Sequence, residues 1–131
     1  MSSPSHSTPS GNANRHDMMW LRSERAIARR AFDAALKREL QEVMQKAKRM
    51  ASQIKEASDL WDLEQYLTRR RKEIDRKYDS RGSQLTHVFG TLLQEGRIAE
   101  EELRGLREDR LASIRSYAKF LAESDVASLG F

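Results

Sequence analysis

Three histidines, no cysteine and scattered carboxylates are the material from which this 131-residue chain would have to build a reactive site. Without cysteine there is no thiol nucleophile, no disulfide and no Cys-based zinc site. His6 and His16 lie in or beside a Ser/Pro/Asn-rich N-terminal stretch, and His87 stands alone in an apolar run. A general base needs an oriented partner, and none of the three has one at recognisable spacing. Acids cluster at Glu100-Glu101-Glu102 and at Glu108-Asp109. Both clusters stand where helices would begin, and there carboxylates stabilise the positive end of the helix dipole without reacting. No Gly-rich phosphate loop, His-Glu-x-x-His or calcium loop is present. The expectation is a protein that is not an enzyme and carries no cofactor and no metal.

Recognition is the other chemistry on offer. Arg69-Arg70-Arg71-Lys72 is a basic run, and helix-borne arginines can neutralise phosphates. Glu64, Glu73 and Asp75 flank it, so a solvated face with pairs four residues apart accounts for it equally well. The net charge of +4 comes from 24 Lys and Arg against 20 Asp and Glu, a mixture rather than a one-sided surface. A helical nucleic-acid-associated protein using this run is the alternative reading. For protein binding, Trp61, Glu64, Gln65, Thr68 and Arg71 fall within one arc of a helix at about 100° per residue. Trp and Arg are the residue types that most often anchor interfaces, although Trp61 packing on a neighbouring helix, with Arg71 over it, is an equal possibility.

Helices must position these groups. Charged residues make up 34% of the chain and apolar ones 38%, too charged for one large core and typical of amphipathic helices. Its two prolines are Pro4 and Pro9, so nothing fixed at the proline φ interrupts the remainder. Residues 1–16 have almost no hydrophobes and read as a disordered tail. Residues 17–78 read as a long-helix dimerisation region. Its stripe of Ala28, Phe32, Leu36, Leu40, Val43, Ala47, Met50 and Ile54 advances in steps of three and four. A helix from Met18 to Glu56 would be ~58 Å long, more than a chain of this size is wide, so part of the stripe needs cover from elsewhere. A second copy of the same helix is the simplest cover. Phe32, Leu36, Leu40, Val43, Ala47, Met50 and Ile54 are therefore the expected dimer interface.

Ser58 or Asp59 is expected to cap a second helix carrying Leu60, Leu63, Leu67 and Ile74 on one face. Residues 79–123 read as a small helical head. It has a helix through Leu85, Val88, Phe89 and Leu92 closed by Gly96, a short helix over Ala99–Leu106, and a last helix opened by Glu108-Asp109. Residues 124–131 read as a flexible tail. No apolar run approaches the ~20 residues that span a bilayer, and the first residues lack a signal-peptide core, so the reading is cytoplasmic with no membrane partner.

An ordered series of short motifs then resembles a known family. It consists of Asp59-Leu60-Trp61-x-Leu63, Arg71-x-Glu73-Ile74-Asp75-x-Lys77-Tyr78-Asp79-x-Arg81, Val88-Phe89, Glu95-Gly96, and Leu103-x-Gly105-Leu106-x-Glu108-Asp109-x-Leu111-x-x-Ile114-Arg115. Over roughly Phe32 to Phe120 it is similar to the fluorescence recovery proteins of cyanobacterial photoprotection. The resemblance implies an all-helical homodimer with a long antiparallel-helix arm and a small head. It implies binding to the C-terminal domain of the light-activated orange carotenoid protein, faster return of that protein to its orange resting form, and release from the phycobilisome, with no cofactor and no covalent change. The family's functional cluster is a Trp, a His-Asp pair three and four residues later, and an Arg ten residues after the Trp. Trp61 and Arg71 match; Glu64 and Gln65 replace the pair, and the amide at 65 removes a negative charge. The implied partner-binding residues are Trp61, Glu64, Gln65 and Arg71, with Phe89 from the head. The replaced pair leaves open a different protein partner on the same scaffold.

Overall fold

The computed structural model describes residues 20–128; the expectation of a disordered stretch over 1–16 lies outside them. The described residues form four α-helices, α1 (Arg22–Ser52), α2 (Ala57–Lys77), α3 (Leu85–Gln94) and α4 (Glu108–Ser128), with 3-10 turns at Gly82–Gln84 and Glu100–Leu103. Among them there is no strand, so the all-α expectation holds.

α1 has 31 residues and is ~46 Å long. It stops at Ser52 rather than Glu56. The Asp59 carboxylate, in the first turn of α2, reaches back to accept from the backbone N–H groups of Lys55 and Glu56 at 3.0 and 3.1 Å. That bond ties down the turn and starts α2. The chain then folds back, and α1 and α2 form an antiparallel hairpin.

This hairpin covers part of the expected dimer stripe. Val43 is buried against Tyr66 and Ile74 of α2, with Leu36 and Met50 packed around them. Phe32 lies edge-on to Tyr78 at 5.4 Å within the same chain. Val43 is thus covered internally and is not open to a second copy, whereas Phe32 is half-buried. The buried face of α2 is also rotated from the expected one. Tyr66 and Ile74 are buried, whereas Leu60 and Leu67 point into solvent. Tyr66 satisfies the apolar contact and is flanked by Lys46 and Arg69, with 4.8 and 5.6 Å from each cation to its ring.

The head core takes in the first half of α1. Trp20, Ala28, Ala31 and Ala35 pack with Phe89, Leu92, Leu103 and Ile114. The three alanines let the helices approach closely, and this half of α1 belongs to the head rather than to a separate arm. α3 and α4 run side by side in the same direction, since Gly90 abuts Tyr117 and Gln94 donates to Asp125. A Cβ on Gly90 would lie 2.6 Å from the Tyr117 ring, so only glycine permits that spacing.

Gly96, at φ +75°, ends α3 as expected. Its N–H donates to Leu93 and that of Arg97 donates to Leu92, satisfying two terminal carbonyls of the helix. The expected short helix over 99–106 is only the 3-10 turn Glu100–Leu103. Gly105, at φ +105°, turns the chain away where a side chain would strike Ile27. α4 continues to Ser128, so residues 124–128 are helical rather than tail, and 129–131 lie outside the described residues.

Candidate partner-binding surface

About three helical turns of α2, from Trp61 to Arg71, carry the expected surface. Trp61 is 59% exposed and does not pack on α1, which rules out a covered Trp61 within one chain. Leu60 and Leu67 are exposed on the same helix. Glu64 accepts a 2.8 Å hydrogen bond from the Thr68 hydroxyl, and Gln65 is exposed. Arg71 projects into solvent, with Asp75 4.0 Å away as its ion-pair partner. The structure therefore places Trp61, Glu64, Gln65 and Arg71 on open surface of one helix. Phe89 is different: it is completely buried in the head, 6.3 Å from the Trp20 ring, and offers no surface to a partner. Its apolar neighbours in sequence were compatible with either position.

Sequence reasoning missed Met44, 52% exposed, and the extent to which Leu40, at 43%, stands clear of α2. They are one helical turn apart and extend the apolar exposure along α1. It also missed the junction that aims this surface. Glu39 is fully buried, yet its carboxylate accepts from Arg70 at 2.7 Å, Lys77 at 2.8 Å and the Tyr78 hydroxyl at 2.8 Å, and lies 3.2 Å from Arg97. Burial by itself would raise its pKa, but the bonds from Lys77, Tyr78 and Arg70 outweigh that and hold it below the ordinary carboxylate range. Burial and the same carboxylate push the Tyr78 hydroxyl above its usual range. One carboxylate thus joins α1, both ends of the second half of α2 and the turn after α3. A Glu on the apolar side of α1, three residues after Leu36, was the available signal.

The basic run does not form one patch. Arg70 turns inward to Glu39 and Glu73, Arg69 lies on Tyr66, and Arg71 faces Asp75. His87 sits edge-on to Tyr117 at 4.7 Å on the head. No group of three metal-ligating side chains occurs among the described residues. No helix among them is long and apolar enough to cross a membrane.

The same all-helical fold is found in known proteins. Residues 20–118 match the model of the photoprotection regulator fluorescence recovery protein. The chain belongs to the fluorescence recovery protein family. The fluorescence recovery protein of Synechocystis sp. is 39% identical over 100 residues, which cover 76% of this chain and 92% of that protein. The solved structure of the Fremyella diplosiphon fluorescence recovery protein superposes with a TM-score of 0.74 at 39% identity, covering 77% of this chain and 99% of that one. The Synechocystis sp. structure gives the same TM-score, identity and coverage. This is a family of regulatory proteins.

Proposed function

We propose that this family member is a non-enzymatic homodimer that regulates a partner protein by binding it, and that the orange carotenoid protein is the partner to test first. The observation that carries the reading is the exposed apolar surface of the hairpin. Leu40, Met44, Leu60, Trp61 and Leu67 stay open although the head has enough cover for its own core. Large apolar side chains exposed one turn apart on α1 and side by side at Leu60 and Trp61 are the material of an association surface. Leu40 and Met44 are the dimer contacts left available, continued by Ala47, Met50 and Ile54, which are half-buried. Trp61, Glu64, Gln65 and Arg71 form the partner contact. A regulator of this type works by binding two conformations of its target unequally, which shifts their equilibrium without changing a covalent bond. The working compartment that fits this role is the cytoplasm.

The test is the dark recovery of photoactivated orange carotenoid protein, followed by visible absorbance with and without this chain. Faster recovery supports the family's action despite Glu64 and Gln65. Unchanged recovery with a folded, dimeric chain would redirect the reading to another protein partner.

A further inference from the structure

Arginines elsewhere in the molecule are mostly engaged. Arg38 grips Glu102, Arg97 bridges Glu39, Glu42 and Glu95, and Arg115 binds Glu100 and Glu108. Four arginines with no carboxylate on them lie together in the first nine residues of α1, whereas Arg49, Arg76 and Arg104 stand singly. Arg22, Arg25, Arg29 and Arg30 are all exposed, and among the described residues none has a carboxylate within ion-pair distance. Helix stability does not explain them. Arg22 and Arg25 sit in the first turn, at the positive end of the helix dipole, where cations are disfavoured. Glu24, the acid of that turn, faces inward and is consumed by the backbone N–H groups of Leu21 and Arg107.

Beside this row lies a groove of about 370 Å³ between α1 and the turn before α3. Trp20, Ala28, Phe32 and Leu85 make its apolar lining, Arg25 and Arg29 stand along it, and Asp33 is the one carboxylate that borders it among the described residues. Such a groove is at the small end of the range for ligand sites. Nucleic acid would use the arginines but leave the apolar lining unfilled.

We propose that this groove is a second docking surface, separate from Trp61 and Arg71, that takes an acidic protein segment with an apolar side chain between its carboxylates. The apolar group enters between α1 and Leu85, and the flanking carboxylates meet Arg25 and Arg29. Charge complementarity sets the partner's sign, and the lining sets the need for an apolar anchor.

The probe is a fluorescein-labelled peptide with a Leu-Phe pair between glutamates, titrated with the full chain and read by fluorescence anisotropy. Binding should be saturable and should weaken as salt rises. Charge reversal by R25E with R29E should weaken it about tenfold with the helical circular dichroism unchanged, and Asp33→Asn should tighten it about twofold. W61A with R71A should leave it unchanged, which separates this surface from the one on α2. The proposal is overturned if no binding occurs, or if a peptide with Ser-Ser in place of Leu-Phe binds equally. It is overturned too if a DNA oligonucleotide of equal charge competes as well as the unlabelled peptide. Should R25E with R29E lose helicity, Asp33→Asn and Arg25→Gln decide, and unchanged affinity in both overturns it.

Discussion

The head and the distal hairpin use similar helices and end in opposite states. In the head, four segments distant in sequence converge on Phe89, Leu92, Leu103 and Ile114, all of which are almost wholly buried. In the hairpin, two helices meet over Val43, Tyr66 and Ile74, while Leu40, Met44, Leu60, Trp61 and Leu67 remain open. Two helices give each apolar stripe one neighbour, whereas a core needs cover on more than one side. The difference teaches that the head closes one sizeable core within the chain, with Phe120 and Val126 left at its surface, while the hairpin buries a small core and leaves apolar side chains of both its helices open. Glu39 and its four donors fasten the one to the other.

The largest expected effect lies in the head. Phe89→Ala would remove a fully buried ring and should cost about 3–5 kcal/mol. That is a large part of the stability of a small domain, so thermal unfolding should shift by many degrees or lose cooperativity. Because Phe89 touches no solvent, any loss of partner binding should track the loss of fold. A variant that kept its melting temperature would break the distinction between closed head and open hairpin.

Next comes the junction. Glu39→Gln would leave Arg70, Lys77 and Arg97 around a neutral amide and should cost about 3 kcal/mol, measured by urea unfolding at neutral pH. The pH dependence has a definite sign. The Glu39 pKa is depressed on folding from an ordinary 4.5, so its contribution is present above that value. It is lost as the pH falls through the lower folded value. The native chain should therefore lose more stability than Glu39→Gln on going from neutral to strongly acidic buffer. Equal losses would detach Glu39 from the joining role.

The two regions also differed in what their sequences disclosed. Three- and four-residue spacing located every helix, and the glycine at 96 marked the end of α3, because both are local effects. The direction of each stripe was not local. Val43 belongs to the same sequence stripe as Leu40, yet the fold-back of α2 covers the first and leaves the second open. Tyr66 displaced Leu60 and Leu67 from the buried face because its ring fits between Lys46 and Arg69, a contact that spans two helices. Trp61 and Arg71 were identifiable as a surface through residue type, spacing and resemblance. Glu39 showed only its place on the apolar side of α1; the four donors around it come from other segments, which spacing within one helix does not disclose.

On the hairpin, Leu40→Glu with Met44→Glu should barely change the stability of the isolated chain, within about 0.5 kcal/mol per site, because both residues are already in water. Their effect should appear in association instead. Sedimentation should show the dimer weakened by about a hundredfold, with the head's melting retained at low concentration. Dimerisation unaffected by both substitutions would place the interface elsewhere on the hairpin.

The smallest effect on stability, and the sharpest on function, is expected for Glu64→His with Gln65→Asp. Arg71 is six residues from position 65, about 120° around α2, and it already faces Asp75, so a new carboxylate at 65 would not pair with it inside the helix. The available internal neighbour is Arg69, four residues on, and such a pair is worth about 0.3–0.5 kcal/mol. A change of that size is negligible for the fold. If the surface on α2 acts as proposed, the restored charge instead meets a cation of the partner. The double variant should then accelerate the dark recovery of the orange carotenoid protein more than the native chain does, with the melting temperature unchanged. Equal acceleration by both forms would mean that Trp61 and Arg71 carry the contact without the pair between them.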